Sequence, residues 1–107
     1  MSFVLTKKLP TPMEIKELYP VSAELAALKA AKDQELIDII TGASDKFMVI
    51  IGPCSADNEE AVCDYISRLA KVQVKVQDKL VLVPRIYTNK PRTTGEGYKG
   101  MLHQPNP

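Results

Sequence analysis

The sequence predicts an α/β chain in which two parallel strands are joined by a helical crossover. Three observations predict it. Phe47-Met48-Val49-Ile50-Ile51 and Leu80-Val81-Leu82-Val83 are continuous apolar runs between polar turns, the pattern of strands buried on both faces. Between them Val62, Tyr65, Ile66, Leu69, Val72 and Val76 recur at helical spacing. Two neighbouring parallel strands require such a crossover, because a tight turn cannot reverse the chain and then restore its direction.

The elements follow in order. Residues 1–20 read as an extended arm, with Pro10, Pro12 and Pro20 breaking helix and Met13 to Leu18 able to form one short turn. A helix reads from Ser22 to about Thr41. Ser22 is its N-cap, alanine and leucine fill it, and Gly42 stands where a terminating glycine belongs. Leu25, Leu28, Leu36, Ile39 and Ile40 give it an imperfect apolar side. The first strand stops at Gly52-Pro53. Asp57 caps the next helix, with Glu60 completing a capping-box pattern. Val72 to Gln77 alternates with period two, but Val72 and Val76 continue the face set by Leu69, so the segment reads as helix. The second strand ends at Pro84, which lacks an amide hydrogen, or extends toward Tyr87. Gly95 to Pro107 reads as loop.

Composition narrows the function. With 107 residues the chain holds at most one domain, and 45% hydrophobic with 25% charged residues is a globular balance. A net charge of +1 argues against a general nucleic-acid surface. The opening residues lack the pattern of a secretory signal, and no apolar run approaches the roughly 18 residues of a membrane span. Two cysteines without such a signal point to reduced thiols in a cytoplasm. Tryptophan, a dinucleotide-binding glycine fingerprint and a Walker loop are all missing from the sequence.

The positive charge is local. Arg85, Lys90, Arg92 and Lys99 against Glu96 give +3 over fifteen residues. They directly follow the second strand, among the hydroxyls of Thr93 and Thr94. Arginine presents a planar fork matched to phosphate and carboxylate, lysine a point charge, and Pro91 stiffens the backbone between two of the cations. Such a loop suits a small, multiply anionic molecule. The second chemical segment, Gly52-Pro53-Cys54-Ser55, lies at the other strand's C-terminal end, and ligands of parallel α/β proteins bind along that edge. Spacing leaves Cys54 open between metal ligand, nucleophile and inert thiol. Cys63, inside a helix, reads as structural, and His103 as a plain surface loop residue.

Taken together, Ile51-Gly52-Pro53-Cys54-Ser55, then Arg85-Ile86-Tyr87, Lys90-Pro91-Arg92-Thr93-Thr94 and Tyr98-Lys99-Gly100 closely resemble the N-terminal part of 3-deoxy-D-arabino-heptulosonate 7-phosphate (DAHP) synthases of the microbial feedback-regulated type. The likeness runs from about Ser22 to the last residue. The related 3-deoxy-octulosonate 8-phosphate synthases share the Gly-Pro-Cys turn but carry a Lys-Ala-Asn-Arg loop, and fit less well.

The resemblance implies a (β/α)8 TIM barrel and a cytoplasmic transferase that opens the shikimate pathway to the aromatic amino acids. Phosphoenolpyruvate would condense with erythrose 4-phosphate and release phosphate, aided by a divalent metal such as Mn, Fe, Co or Zn. By position Cys54 resembles the metal ligand and Arg85 the arginine that clamps phosphoenolpyruvate. Lys90 resembles the catalytic lysine near both substrates. Arg92 and Thr93, with the Pro91 backbone, resemble the binders of the erythrose 4-phosphate phosphate. Residues 1–46 resemble an extension for subunit contact and regulation in a homo-oligomer, and 47–107 the first βαβ portion of the barrel. A barrel needs about 250 residues, so the chain is expected to supply about two strands, to lack the other metal ligands, and to be inactive alone as a truncated frame or part of a split enzyme. The alternatives are a regulatory module that binds a full-length synthase, and a small stand-alone phosphate-binding domain.

Overall fold

The computed structural model describes residues 2–5, 7–101 and 103–104. Met1 and Thr6 of the arm, and Leu102 and 105–107 of the tail, lie outside the described residues. The order is α1 (Pro12–Leu18), α2 (Ala23–Ile40), β1 (Phe47–Ile51), α3 (Glu59–Val76) and β2 (Leu80–Pro84). The chain divides into two compact units, Met1–Glu35 and Leu36–Pro107.

In the first unit the arm carries more helix than its prolines suggest. Pro12 opens α1 instead of breaking it, because the first helical position has no amide partner to lose. Thr11 and Glu14 form a reciprocal capping box: the Thr11 amide donates to Glu14 Oε2 at 2.6 Å and the Glu14 amide to Thr11 Oγ1 at 3.2 Å. Ser22 caps α2 as the sequence predicts, its Oγ accepting from the Leu25 amide at 3.1 Å. Lys29–Asp33 and Lys32–Glu35 pair at 2.6 and 2.7 Å along the same helix, each worth about 0.2 kcal/mol, because the lysine precedes the acid. Gly42, at φ +80°, takes the left-handed position just past the helix.

The second unit is a parallel two-stranded sheet with one crossover helix. Phe47 pairs with Leu80 and Ile51 with Pro84. The segment from Val72 to Val76 is helical, as the Leu69 face implies. The cap of α3 is Asn58, whose Oδ1 accepts from the Ala61 amide at 2.8 Å, and not Asp57. Either side chain can cap a helix. The backbone decides between them, since Asn58 is the last extended residue, at φ −133° and ψ 117°. β2 ends at Pro84, short of Tyr87.

Burial departs from the expectation of strands covered on both faces. Val81 of β2 is 3% exposed beneath α3, whereas Phe47 and Ile50 of β1 are 72% and 61% exposed. One helix can cover at most one of the two faces of a two-stranded sheet. Gln73 of α3 treats the outer edge of β2. Its Nε2 donates to Leu80 O at 2.9 Å and its Oε1 accepts from the Leu82 amide at 2.6 Å. These groups point away from β1, because Lys79 O and the Arg85 amide are the ones that bond toward it.

The strands stay together past β1 because residue 52 has no side chain. The Arg85 amide donates to Ile51 O at 2.9 Å, and a Cβ on Gly52 would run into the Arg85 carbonyl. Gly52→Ala is expected to cost about 2 kcal/mol by overpacking. The check is the urea midpoint at constant m-value; an unchanged midpoint would show that the backbone yields at no cost.

Candidate functional site

Parallel pairing delivers the loops after β1 and β2 to the same rim of the sheet. They remain tied beyond the strands, since the Ala56 amide donates to Tyr87 O at 3.2 Å. Ala56 is buried, Ser55 half-buried and Cys54 exposed. The Gly-Pro-Cys-Ser turn therefore presents its sulfur outward from a fixed backbone.

The cations of the second loop reach back onto that turn. Arg85 Nη2 donates to Pro53 O at 2.9 Å. Lys90 Nζ donates to Cys54 O and Cys54 Sγ, both at 2.6 Å, and to Ser55 Oγ at 3.1 Å. An ammonium has three hydrogens, and the turn offers three acceptors. Tyr87 lies between these two residues in the chain, with Arg85 Cζ 4.9 Å and Lys90 Nζ 5.5 Å from its ring centroid. Both distances are within the range of cation–π attraction.

The rest of the predicted anion loop is held from within. The Lys90 amide donates to Lys99 O at 3.0 Å and the Met101 amide to Thr88 O at 2.7 Å, so 88–90 and 99–101 run antiparallel. Gly100, at φ +109°, permits this approach, because a Cβ there would strike the backbone of Thr88 and Asn89. Arg92 turns toward its own loop, Nε donating to Tyr98 O at 2.9 Å. Lys90, Pro91, Arg92 and Lys99, with Asn89, Gly95 and His103, line an open cavity of about 330 Å³. Thr93 is exposed on the same loop.

Of the residues singled out from sequence, Cys54, Arg85 and Lys90 thus converge, and Pro91 and Arg92 border an adjoining cavity. Lys99, counted among the loop cations, lines that cavity too, as does His103, which the sequence reads as a plain surface residue; Ser55 and Tyr87 stood in the quoted segments without a role of their own. Arg85 and Tyr87 are two apart on an extended segment and so share a side; that spacing was the available signal for Tyr87. Cys63 is exposed rather than buried within its helix, and both cysteines are free thiols.

The Cys54 thiol titrates below its ordinary range. The hydrogen bond from Lys90 is the largest cause and the Lys90 charge the next; partial desolvation opposes them, while the Ser55 hydrogen bond and the Arg92 charge assist. Donors and positive charge beside sulfur favour the thiolate, the form that binds metals and reacts with electrophiles. As one soft donor Cys54 fits a divalent transition metal. Among the described residues no group of three or more His, Cys, Asp or Glu could hold one. In a Cys63→Ser background, iodoacetamide should alkylate Cys54 with a pH inflection below that of an ordinary thiol. Lys90→Met should raise the inflection and slow the reaction at neutral pH. An inflection that ignores Lys90 would remove the pairing as its cause.

Comparisons with known proteins give the chain a family. The family model described as DAHP synthetase I family matches residues 14–106. A phospho-2-dehydro-3-deoxyheptonate aldolase of Haemophilus influenzae is 39% identical over 94 residues, 88% of this chain and 26% of that protein. The Tyr-sensitive aldolase of that name from Escherichia coli is 37% identical, covering 92% of this chain and 27% of that protein. A relative from Amycolatopsis methanolica is 37% identical, with 90% and 47% covered. The chain thus spans about a quarter to a half of these relatives' lengths. The solved structure of phospho-2-dehydro-3-deoxyheptonate aldolase from Francisella tularensis superposes with a TM-score of 0.80 at 27% identity, covering 96% of this chain and 30% of that one. A family match over residues 14–106, with a shared fold, establishes that the chain belongs to the DAHP synthetase I family.

Proposed function

We propose that this chain forms the first βαβ portion of a TIM-barrel DAHP synthase, which condenses phosphoenolpyruvate with erythrose 4-phosphate and releases phosphate. The observation that carries the proposal is the convergence of Arg85 and Lys90 on the Cys54 turn at one rim of a parallel sheet. Two phosphorylated substrates repel one another, and fixed cations at the meeting point offset that repulsion more effectively than mobile ions, because they need no reorganisation during the reaction.

Each residue has a definable task. Arg85 has five N–H donors, of which one is committed to Pro53 O; the fork orients the phosphoenolpyruvate anion. Lys90, on exchanging part of its bonding to the Cys54–Ser55 turn for substrate, would neutralise the enolpyruvate carboxylate and carry protons between substrate oxygens and water. Arg92, with Pro91 and Thr93, binds the phosphate of erythrose 4-phosphate beside the cavity they border. Cys54 would hold a divalent metal through its thiolate, with the other donors supplied from outside the described residues. When bound, such a metal would polarise the aldehyde oxygen as a Lewis acid. The enolpyruvate carbon then attacks the aldehyde, water adds at the neighbouring carbon, and phosphate departs.

The wider expectations belong to the same reading. Residues 1–46 serve subunit contact and feedback control in a homo-oligomer, 47–107 serve the barrel, and the enzyme works in the cytoplasm on the way to the aromatic amino acids. Among the described residues no helix is long and apolar enough to cross a membrane.

A chimera offers the direct test. This chain replaces the matching segment of the Escherichia coli relative, and phosphate release is followed with both substrates. The chimera should turn over, and Lys90→Ala should reduce kcat by about a hundredfold or more, the scale for removing a charge-stabilising group. A folded chimera that binds neither substrate would defeat the proposal.

A further inference from the structure

We propose that Tyr87 is a positioning residue, whose ring holds Arg85 and Lys90 in the orientation that brings both onto the Gly-Pro-Cys-Ser turn. The inference rests on the anion-binding reading for what the two cations do, and on geometry alone for how they are held.

Two like charges reach back to adjacent points of one turn. Arg85 bonds Pro53 O, and Lys90 bonds Cys54 and Ser55. Neither cation has a carboxylate partner in these contacts; Lys90 meets the Cys54 sulfur, and Arg85 meets only a carbonyl. Each instead lies near the same ring, at 4.9 and 5.5 Å from its centroid. The quadrupole of an aromatic ring attracts a cation without neutralising it. An aspartate or glutamate at this place would also order the two side chains, but it would compete with them for an anion and repel one. An aromatic ring avoids both effects.

The ring is itself anchored. Tyr87 is half-buried, and its carbonyl accepts from the Ala56 amide at 3.2 Å, next to Ser55, which Lys90 contacts. Arg85 lies two residues earlier on an extended segment, so its side chain leaves the backbone on the ring's side. Lys90 follows the bridge of Asn89 to Gly100, and pairing of 88–90 with 99–101 fixes its backbone. Ring and cations are thus tied to one rigid frame, and orientation costs less when a ligand arrives.

The test measures proton shielding of the Arg85 and Lys90 side chains by nuclear magnetic resonance in the wild-type chain, Tyr87→Phe and Tyr87→Leu. Wild type and Tyr87→Phe should both show protons of each cation shifted upfield by the ring, and Tyr87→Leu should lose the shift. Phosphoenolpyruvate, titrated as the probe, should bind Tyr87→Phe within about twofold of wild type and Tyr87→Leu about fivefold more weakly, the effect of losing exposed cation–π contacts. Unshielded cations in wild type, or shielding that survives in Tyr87→Leu, overturn the proposal. Should Tyr87→Leu lose its helical dichroism, wild type and Tyr87→Phe decide by themselves. Shielding present in wild type without phosphoenolpyruvate binding would uphold the positioning role and instead defeat the anion-binding reading.

Discussion

Lys90 joins the ends of two strands through one ammonium group. Its three hydrogens go to a carbonyl, a thiol sulfur and a hydroxyl, all from Cys54 and Ser55. Several features of the rim depend on this arrangement. It lowers the thiol pKa, closes the second loop onto the first, and keeps a positive charge beside the cavity lined by Arg92 and Lys99. Without it the two loops would share the backbone bonds at Ile51 and Ala56 and the bonds of Arg85 to Pro53 O and Tyr98 to Ala56 O, none of which reaches the Cys54 sulfur. The sheet brings the segments near one another, and the ammonium turns nearness into a defined site.

Backbone economy makes this possible. Gly52 lets the carbonyl of Arg85 pass close to the first loop, and Gly100 lets 99–101 pack against 88–90. Neither glycine contributes a functional group. Each removes a side chain at a crossing where one would force the loops apart, and the cations depend on those crossings for their reach.

Much of this was legible in the sequence, for identifiable reasons. The two apolar runs and the helical spacing between them set the βαβ order, since no other local structure explains both periods. Ser22 and Gly42 bracketed α2 because helix ends have strong chemical preferences. The cap of α3 was misplaced by one residue, because Asp57 and Asn58 are both good caps and only the backbone angles of Asn58 separate them. Pro12 looked like a breaker because proline has opposite meanings at the first helical position and in the interior. Burial of β1 was overestimated: an apolar run reports what a strand is suited to, not which elements of this chain cover it. At the site, two segments at the C-terminal ends of neighbouring parallel strands already implied that Cys54, Arg85 and Lys90 share one rim. The direct bonds of Arg85 and Lys90 to the Gly-Pro-Cys-Ser turn were not legible, because they depend on two glycine crossings.

Gln73 adds a consequence of a different kind. Its amide occupies one acceptor and one donor on the outer margin of β2, the groups a third strand would seek. The side chain behaves as a placeholder, mimicking for one residue the pattern of an adjoining peptide. Any strand that extends the sheet on that side must first evict it. The exchange replaces two side-chain bonds with a longer backbone ladder, so growth of the sheet there starts from a satisfied margin instead of a bare one.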